Sequence, residues 1–145
     1  MADQQMPHLE VAGRQVVECG GLRFEATFRA PAGATLRVFG DVDGQDTELL
    51  RFDDFIEGPH YHIPAAGDPI AFDQAELGEP LTWLVSQLRD HLADLLADAG
   101  FERALSDTEV DAVTDHADEI RKAMENCVPA GYERVPGIGL RRSPA

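Results

Sequence analysis

The segment 22–30 constrains the fold most, because its apolar and polar residues alternate strictly. The apolar positions are Leu22, Phe24, Ala26, Phe28 and Ala30, and the polar positions between them are Arg23, Glu25, Thr27 and Arg29. Successive side chains of a β-strand point to opposite faces, so this pattern indicates a strand with one buried face and one open face. The segment therefore predicts an amphipathic sheet whose apolar side is covered by a second layer.

Further strands are predicted on both sides of this segment. Residues 35–42 alternate in the same way and end at Asp43-Gly44, which is a strong hairpin signal. Strands are also expected at 47–55 and 60–64, with a short edge strand near Val16. Residues 70–72 fit either another edge strand or an extended crossing. The connections are short, so strands that follow one another in sequence should pair as an antiparallel meander.

The second half of the chain has helical periodicity. Apolar residues recur at helical spacing over 81–99, with Pro80 at a first-turn position and Gly100 as a stop signal. A second stripe over 110–124 follows Ser106 and Glu109, which have the spacing of a capping box. We predict an α+β, two-layer fold in which an N-terminal antiparallel β-meander of four to five strands packs against two C-terminal amphipathic helices. The domain should span 1–130, followed by a Gly/Pro/Arg-containing C-terminal tail over 131–145.

The charge of the chain disfavours two classes of partner. The 145 residues carry a formal net charge of -15, and the isoelectric point is near 4.5. An acidic surface repels nucleic-acid phosphates and anionic lipids, so we expect neither nucleic acid nor membrane as a partner. Residues 1–10 are unlike a signal peptide, and the expected location is cytoplasmic. Lys122 is the only lysine, which fits either a GC-rich source or a salt-adapted one.

The segment Pro59-His60-Tyr61-His62 is the main candidate for a functional site. On a strand, His60 and His62 share one face and Tyr61 points to the other. The preceding antiparallel strand would bring Asp53 or Asp54 alongside the histidines. Two imidazoles and one carboxylate form a ligand set that zinc or ferrous iron accepts, and the same groups without a metal could transfer protons. We expect no cofactor, with zinc or iron bound through Asp53, His60 and His62 as the alternative.

Arginines on the same predicted face point to a small anionic ligand. Arg23, Arg29 and Arg37 alternate with the apolar positions, and Arg51 precedes Asp53 by two residues. We name Arg37 and Arg51, with Asp53, His60 and His62, as candidate ligand-binding residues. The alternative is that these arginines pair with neighbouring carboxylates and contribute only to solubility.

Trp83, the only tryptophan, is a candidate interface residue. It lies on the predicted helix away from the leucine stripe. Either another segment of the chain covers it, or it anchors a partner or a second copy, which is a common role of exposed tryptophan.

The stretch from Phe52-Asp53 through Pro59-His60-Tyr61-His62 to the leucine-rich helix after Pro80 resembles a group of small, uncharacterised bacterial proteins. The similarity covers about residues 35–105. The group implies no activity, so the resemblance bears only on the fold and on the location of the site.

These observations favour a small cytoplasmic binding or protein-interaction module that uses the outer sheet face around the Pro-His-Tyr-His segment. Its partner would be another protein, a second copy of the chain or a small anionic ligand. The alternative is an enzyme with a His/Asp acid-base or metal-assisted site at the same residues. Candidate catalytic residues are then His60, His62 and Asp53.

Overall fold

A computed structural model describes residues 10–101 and 106–144. The strands of the main sheet are β1 (Glu10–Cys19), β2 (Leu22–Ala30), β3 (Gly33–Val42), β4 (Gln45–Phe55), β5 (His60–His62) and β6 (Ile70–Ala71). The helices are α1 (Gln74–Leu77), α2 (Pro80–Asp90), α3 (Leu92–Asp98), α4 (Asp107–Asp115) and α5 (Ala117–Asn126). A hairpin of β7 (Tyr132–Val135) and β8 (Gly139–Arg142) follows. The sheet is antiparallel with the strands in sequence order, which confirms the predicted α+β meander.

The inner face of the sheet and the helices enclose the core. Leu22, Phe24, Ala26 and Phe28 of β2 are almost fully buried, as the alternation predicted. They belong to one cluster with apolar residues of β3 and β4 and with the helix stripes, among them Leu84, Leu88, Leu92, Leu96, Val113, Ile120 and Met124. We call the opposite side of the sheet, which carries Arg23, Glu25, Thr27 and Arg29, the outer face.

Both predicted helices are interrupted once, at a histidine. α2 ends at Asp90 and α4 ends at Asp115, and His91 and His116 separate them from the helices that follow, so that four helices replace two. At each break a side chain satisfies a carbonyl of the last turn: Thr114 Oγ1 donates to the Arg89 carbonyl at 3.1 Å, and His116 Nδ1 donates to the Ala112 carbonyl at 2.6 Å. Across the described residues, no helix is long and apolar enough to cross a membrane.

The residues assigned to a C-terminal tail form the β7–β8 hairpin, which packs against the core. The Tyr132 ring lies 4.6 Å from the Phe28 ring, and Leu140 is buried. Arg134 Nη1 donates to Asp54 Oδ2 at 2.6 Å. The strands are only four residues long, too short for an alternation signal, and they are held by contacts with distant residues.

The ion pair of Asp54 and Arg134 lies on the inner side of the sheet. Asp54 is 5 % exposed. Burial raises the pKa of the Asp54 carboxyl above its ordinary value, and the Arg134 guanidinium opposes this shift. Asp54 therefore depends on Arg134 to remain ionised in the folded protein.

Replacing Arg134 by methionine is expected to destabilise the fold by about 3–5 kcal/mol near neutral pH, because an unpaired carboxylate is left buried. The pKa of Asp54, already raised in the folded state, rises further in this variant. The loss should therefore be largest at neutral pH and shrink as pH falls through that raised value, where the carboxyl is protonated and uncharged. Chemical denaturation at several pH values measures both quantities.

The matched control is Arg141→Met in the same hairpin. Arg141 pairs with Glu133 at the surface, so its replacement should cost less than about 1 kcal/mol. Equal losses in the two variants would contradict a special role for the buried pair.

Candidate functional site

The pairing of β4 with β5 brings Asp53, His60 and His62 together on the outer face. Asp53 is the register partner of His60, and Arg51 is the partner of His62. The Nε2 atoms of His60 and His62 lie 3.0 and 3.3 Å from the same oxygen, Asp53 Oδ2. The Asp53 side chain is only 2 % exposed, whereas those of His60 and His62 are 23 % and 16 % exposed. A buried carboxylate thus lies beneath two imidazoles that solvent can reach.

Two residues hold the other carboxylate oxygen. Thr35 Oγ1 donates to Asp53 Oδ1 at 2.8 Å, and Arg51 Nε donates to the same atom at 3.2 Å. Thr35 is fully buried and is the register partner of Asp53 on β3. These contacts fix the orientation of the carboxylate and direct Oδ2 toward the histidines.

Backbone carbonyls fix both imidazole rings. The carbonyl of Gly58, before β5, lies 2.8 Å from His60 Nδ1, and the carbonyl of Gly67, after β5, lies 2.8 Å from His62 Nδ1. A carbonyl only accepts hydrogen bonds, so each Nδ1 carries a proton and donates it. In a neutral imidazole the lone pair then lies on Nε2, directed at Asp53.

When both imidazoles are neutral, three hydrogen-bond acceptors therefore converge, namely His60 Nε2, His62 Nε2 and Asp53 Oδ2. Such an arrangement is repulsive unless a positive charge lies between the acceptors, either as protons on the imidazoles or as a metal ion. Two ligands at about 2.0–2.2 Å from a zinc ion and about 90–110° apart are separated by about 2.8–3.6 Å. The nitrogen-to-oxygen separations of 3.0 and 3.3 Å fall in this range. All three ligand atoms lie within 4.8 Å of one another.

The two adjacent aspartates have different environments. Asp53 faces outward to the histidines, while Asp54 faces inward to Arg134. The sequence left open which of them accompanies the histidines, and the β4–β5 register selects Asp53. Tyr61, between the histidines, points inward, and its ring lies 6.3 Å from that of Phe52.

Most arginines of the outer face have carboxylate partners. Arg23 contacts Glu25 at 2.7 Å and Asp46 at 2.9 Å. Arg37 Nε lies 3.0 Å from Glu48, and Arg51 lies beside Asp53. The candidate ligand-binding residues Arg37 and Arg51 are therefore on the same face as the histidines, in neighbouring strands.

Trp83 lies on the inner side of the sheet, next to Tyr61. Its ring is 5.0 Å from that of Tyr61, 5.2 Å from that of Phe72 and 6.4 Å from that of Phe52. The side chain is half-buried, with these rings as neighbours. The cluster packs β5 and the β6 region against α2 and so supports the strand that carries both histidines.

Sequence reasoning did not single out Thr35, Thr27 or the glycine carbonyls. The alternation could have placed both threonines on the outer face, because each occupies a polar position of an alternating strand. A register line across the sheet joins Thr27, Thr35, Asp53 and His60, one from each of four neighbouring strands. The carbonyls of Gly58 and Gly67 carry no sequence signal, since any residue offers one.

The comparison with protein families gives one match. Residues 16–124, well over half of the chain, match the family described as Domain of unknown function (DUF7700). The matched range contains Thr35, Asp53, His60 and His62 and ends before the β7–β8 hairpin. No curated protein and no solved structure matches the chain.

Replacing Thr35 by valine keeps its volume and removes the hydrogen bond to Asp53. We expect a loss of about 1–3 kcal/mol in the free energy of unfolding, because a buried carboxylate loses a donor. Thr27→Val on the adjacent strand is the control. Thr27 Oγ1 is buried without a hydrogen-bond partner, so this change should be neutral or stabilising. Denaturant titration in buffer free of phosphate and carboxylates measures the free energy of unfolding of both variants. Equal losses would show that the hydrogen bond from Thr35 to Asp53 adds no stability beyond that of an unpaired hydroxyl.

Proposed function

The chain belongs to the DUF7700 family, and we propose that it binds a divalent transition-metal ion through Asp53, His60 and His62 and offers the remaining coordination positions to a small ligand. Zinc and ferrous iron are the ions whose ligand preferences fit this set. The proposal replaces the expectation of a cofactor-free site.

The observation that supports this proposal is the convergence of two Nε2 atoms on one carboxylate oxygen. Their Nδ1 atoms are occupied by carbonyls, which is the usual arrangement of metal-ligating histidines. Thr35 and Arg51 similarly orient the carboxylate. Each of the three ligands is thus held by a hydrogen bond to a second group, as is usual for residues that bind a metal ion.

The position of the site favours an ion with open coordination positions. Three protein ligands leave at least one position of a tetrahedral ion for water or another ligand, as in catalytic rather than structural zinc sites. Both imidazole side chains are partly exposed, so a small ligand could approach the ion from the outer face. A bound ion there could polarise a ligand oxygen or acidify a bound water.

A second candidate is proton transfer without a metal. It is favoured by the distance of 3.0 Å between His60 Nε2 and Asp53 Oδ2, which is a good hydrogen bond when the imidazole is protonated. The two candidates use the same residues and differ in whether purified protein retains an ion.

Metal analysis of the purified protein tests the proposal. We expect about one zinc or iron ion per chain after incubation with that ion and removal of the excess. His60→Ala, His62→Ala and Asp53→Asn should each lower the affinity for the ion by more than about 100-fold, since each removes a direct ligand. His91→Ala is the control, because His91 is exposed at the end of α2 and is not among the clustered ligands.

Melting curves provide a second measurement. An ion that binds only the folded state stabilises it by about 2.7 kcal/mol at 100 times the dissociation constant, which should raise the melting temperature of the wild type and not of His60→Ala. A wild-type protein that retains no ion, with a melting temperature unchanged by zinc, would overturn the proposal and leave proton transfer as the better candidate.

A further inference from the structure

Two buried polar atoms of β2 have no hydrogen-bond partner. They are Thr27 Oγ1 and Arg29 Nε, two residues apart on the outer face. Thr27 is 7 % exposed and Arg29 is half-buried. Buried polar groups in folded proteins are nearly always hydrogen-bonded, so a pair of orphaned groups on one face requires an explanation.

Arg29 also differs from the other arginines on this face. Arg23, Arg37 and Arg51 each have a carboxylate within 3.2 Å. No ion pair joins Arg29 to a residue whose side chain the structure describes, which are residues 12–101 and 106–144. Its positive charge is thus without a close counter-ion among them, although the molecule as a whole is strongly acidic.

The electrostatic surroundings of Arg29 favour a negative ligand. Burial lowers the pKa of Arg29 from its ordinary value, and the nearby charges of Arg51 and Arg37 lower it further. Asp53 and Glu48 offset this only in part. A bound anion would relieve the repulsion and restore the solvation that the guanidinium has lost.

We propose that Arg29 and Thr27 bind the oxyanion group, a carboxylate or a phosphate, of the small ligand that reaches the Asp53–His60–His62 site. The exposed part of the half-buried Arg29 meets the anion first, and Arg29 Nε and Thr27 Oγ1, which lie below the surface, donate to it once a small side-chain movement opens them to the ligand. This inference rests on the proposed function, because the rest of the ligand is placed at the metal ion held by Asp53, His60 and His62.

The spacing of the strands defines the relation between the two sites. Thr27, Thr35 and Asp53 are register partners on three consecutive strands. Neighbouring strands lie about 4.8 Å apart, so the backbones at Thr27 and Asp53 are separated by about 10 Å. The oxyanion therefore binds beside the ion rather than on it, and the ligand has its charged group several bonds away from the atom that approaches the ion.

Inorganic phosphate and acetate serve as separate probes of the oxyanion subsite, and calorimetric titration of the zinc-loaded protein measures their affinity. Arg29→Gln is expected to weaken binding of the preferred anion by about tenfold or more, because it removes a charge-assisted hydrogen bond. Thr27→Val should weaken it several-fold without lowering the melting temperature. The comparison of phosphate with acetate shows which oxyanion the subsite prefers.

Arg23→Gln is the matched control, since it removes the same charge from the same face of the same strand. Arg23 is paired with Glu25 and Asp46, so anion affinity in this variant should remain within about twofold of the wild type. Zinc content is measured in every variant, and Arg29→Gln should retain its ion. This separates loss of the oxyanion subsite from loss of the metal site.

An unchanged anion affinity in Arg29→Gln, or an equal loss in Arg23→Gln, would overturn the inference while the metal site stands. If the wild type binds no zinc but binds phosphate or acetate through Arg29, the subsite is supported and the proposed function fails. If neither anion binds to the zinc-loaded wild type at millimolar concentration, the oxyanion subsite is rejected.

Discussion

The carboxylate of Asp53 is the group on which the outer face depends. An ionised carboxylate is costly to bury, and here it is shielded by donors from neighbouring strands: Thr35 on β3, Arg51 on β4 and, when protonated, the two histidines of β5. These donors meet only in one register of β3, β4 and β5. A slip by one residue would move every side chain of a strand to the other face. The buried charge and the strand register therefore support each other.

Adjacent carboxylates on β4 face opposite sides of the sheet. Asp54 is held by Arg134 and fastens the C-terminal hairpin to the core. Asp53, one residue earlier, faces the histidines. Since neighbouring residues of a strand point to opposite faces, the Asp53-Asp54 pair supplies one carboxylate to the histidines and the other to Arg134. The contact of Tyr61 with Trp83 packs the inner side of β5 against α2, so the strand that carries both histidines is held by the core.

The polar groups of the outer face are not all paired. Arg23, Arg37 and Arg51 have carboxylate partners, whereas Arg29 Nε and Thr27 Oγ1 are buried without hydrogen bonds. A departure of this kind from full polar pairing needs an explanation, and a ligand that supplies the missing partner is one; Arg134 Nε on the inner side is also buried without a partner. Thr27 and Arg29 lie on the same face as Asp53, His60 and His62, two strands away from Asp53, and this is why we propose that both features belong to one site.

The alternation of 22–30 and 35–42 and the two apolar helical stripes determined the fold class, because local periodicity sets which face of each element is buried. The two-residue period of a strand likewise indicated that His60 and His62 share a face. The tertiary structure decided that Asp53 rather than Asp54 joins them, since register depends on pairing between strands. It also decided that Thr35 orients the carboxylate and that residues 132–142 form a hairpin. Both outcomes rest on contacts between residues far apart in sequence, such as Arg134 with Asp54, and local periodicity carries no information about such contacts.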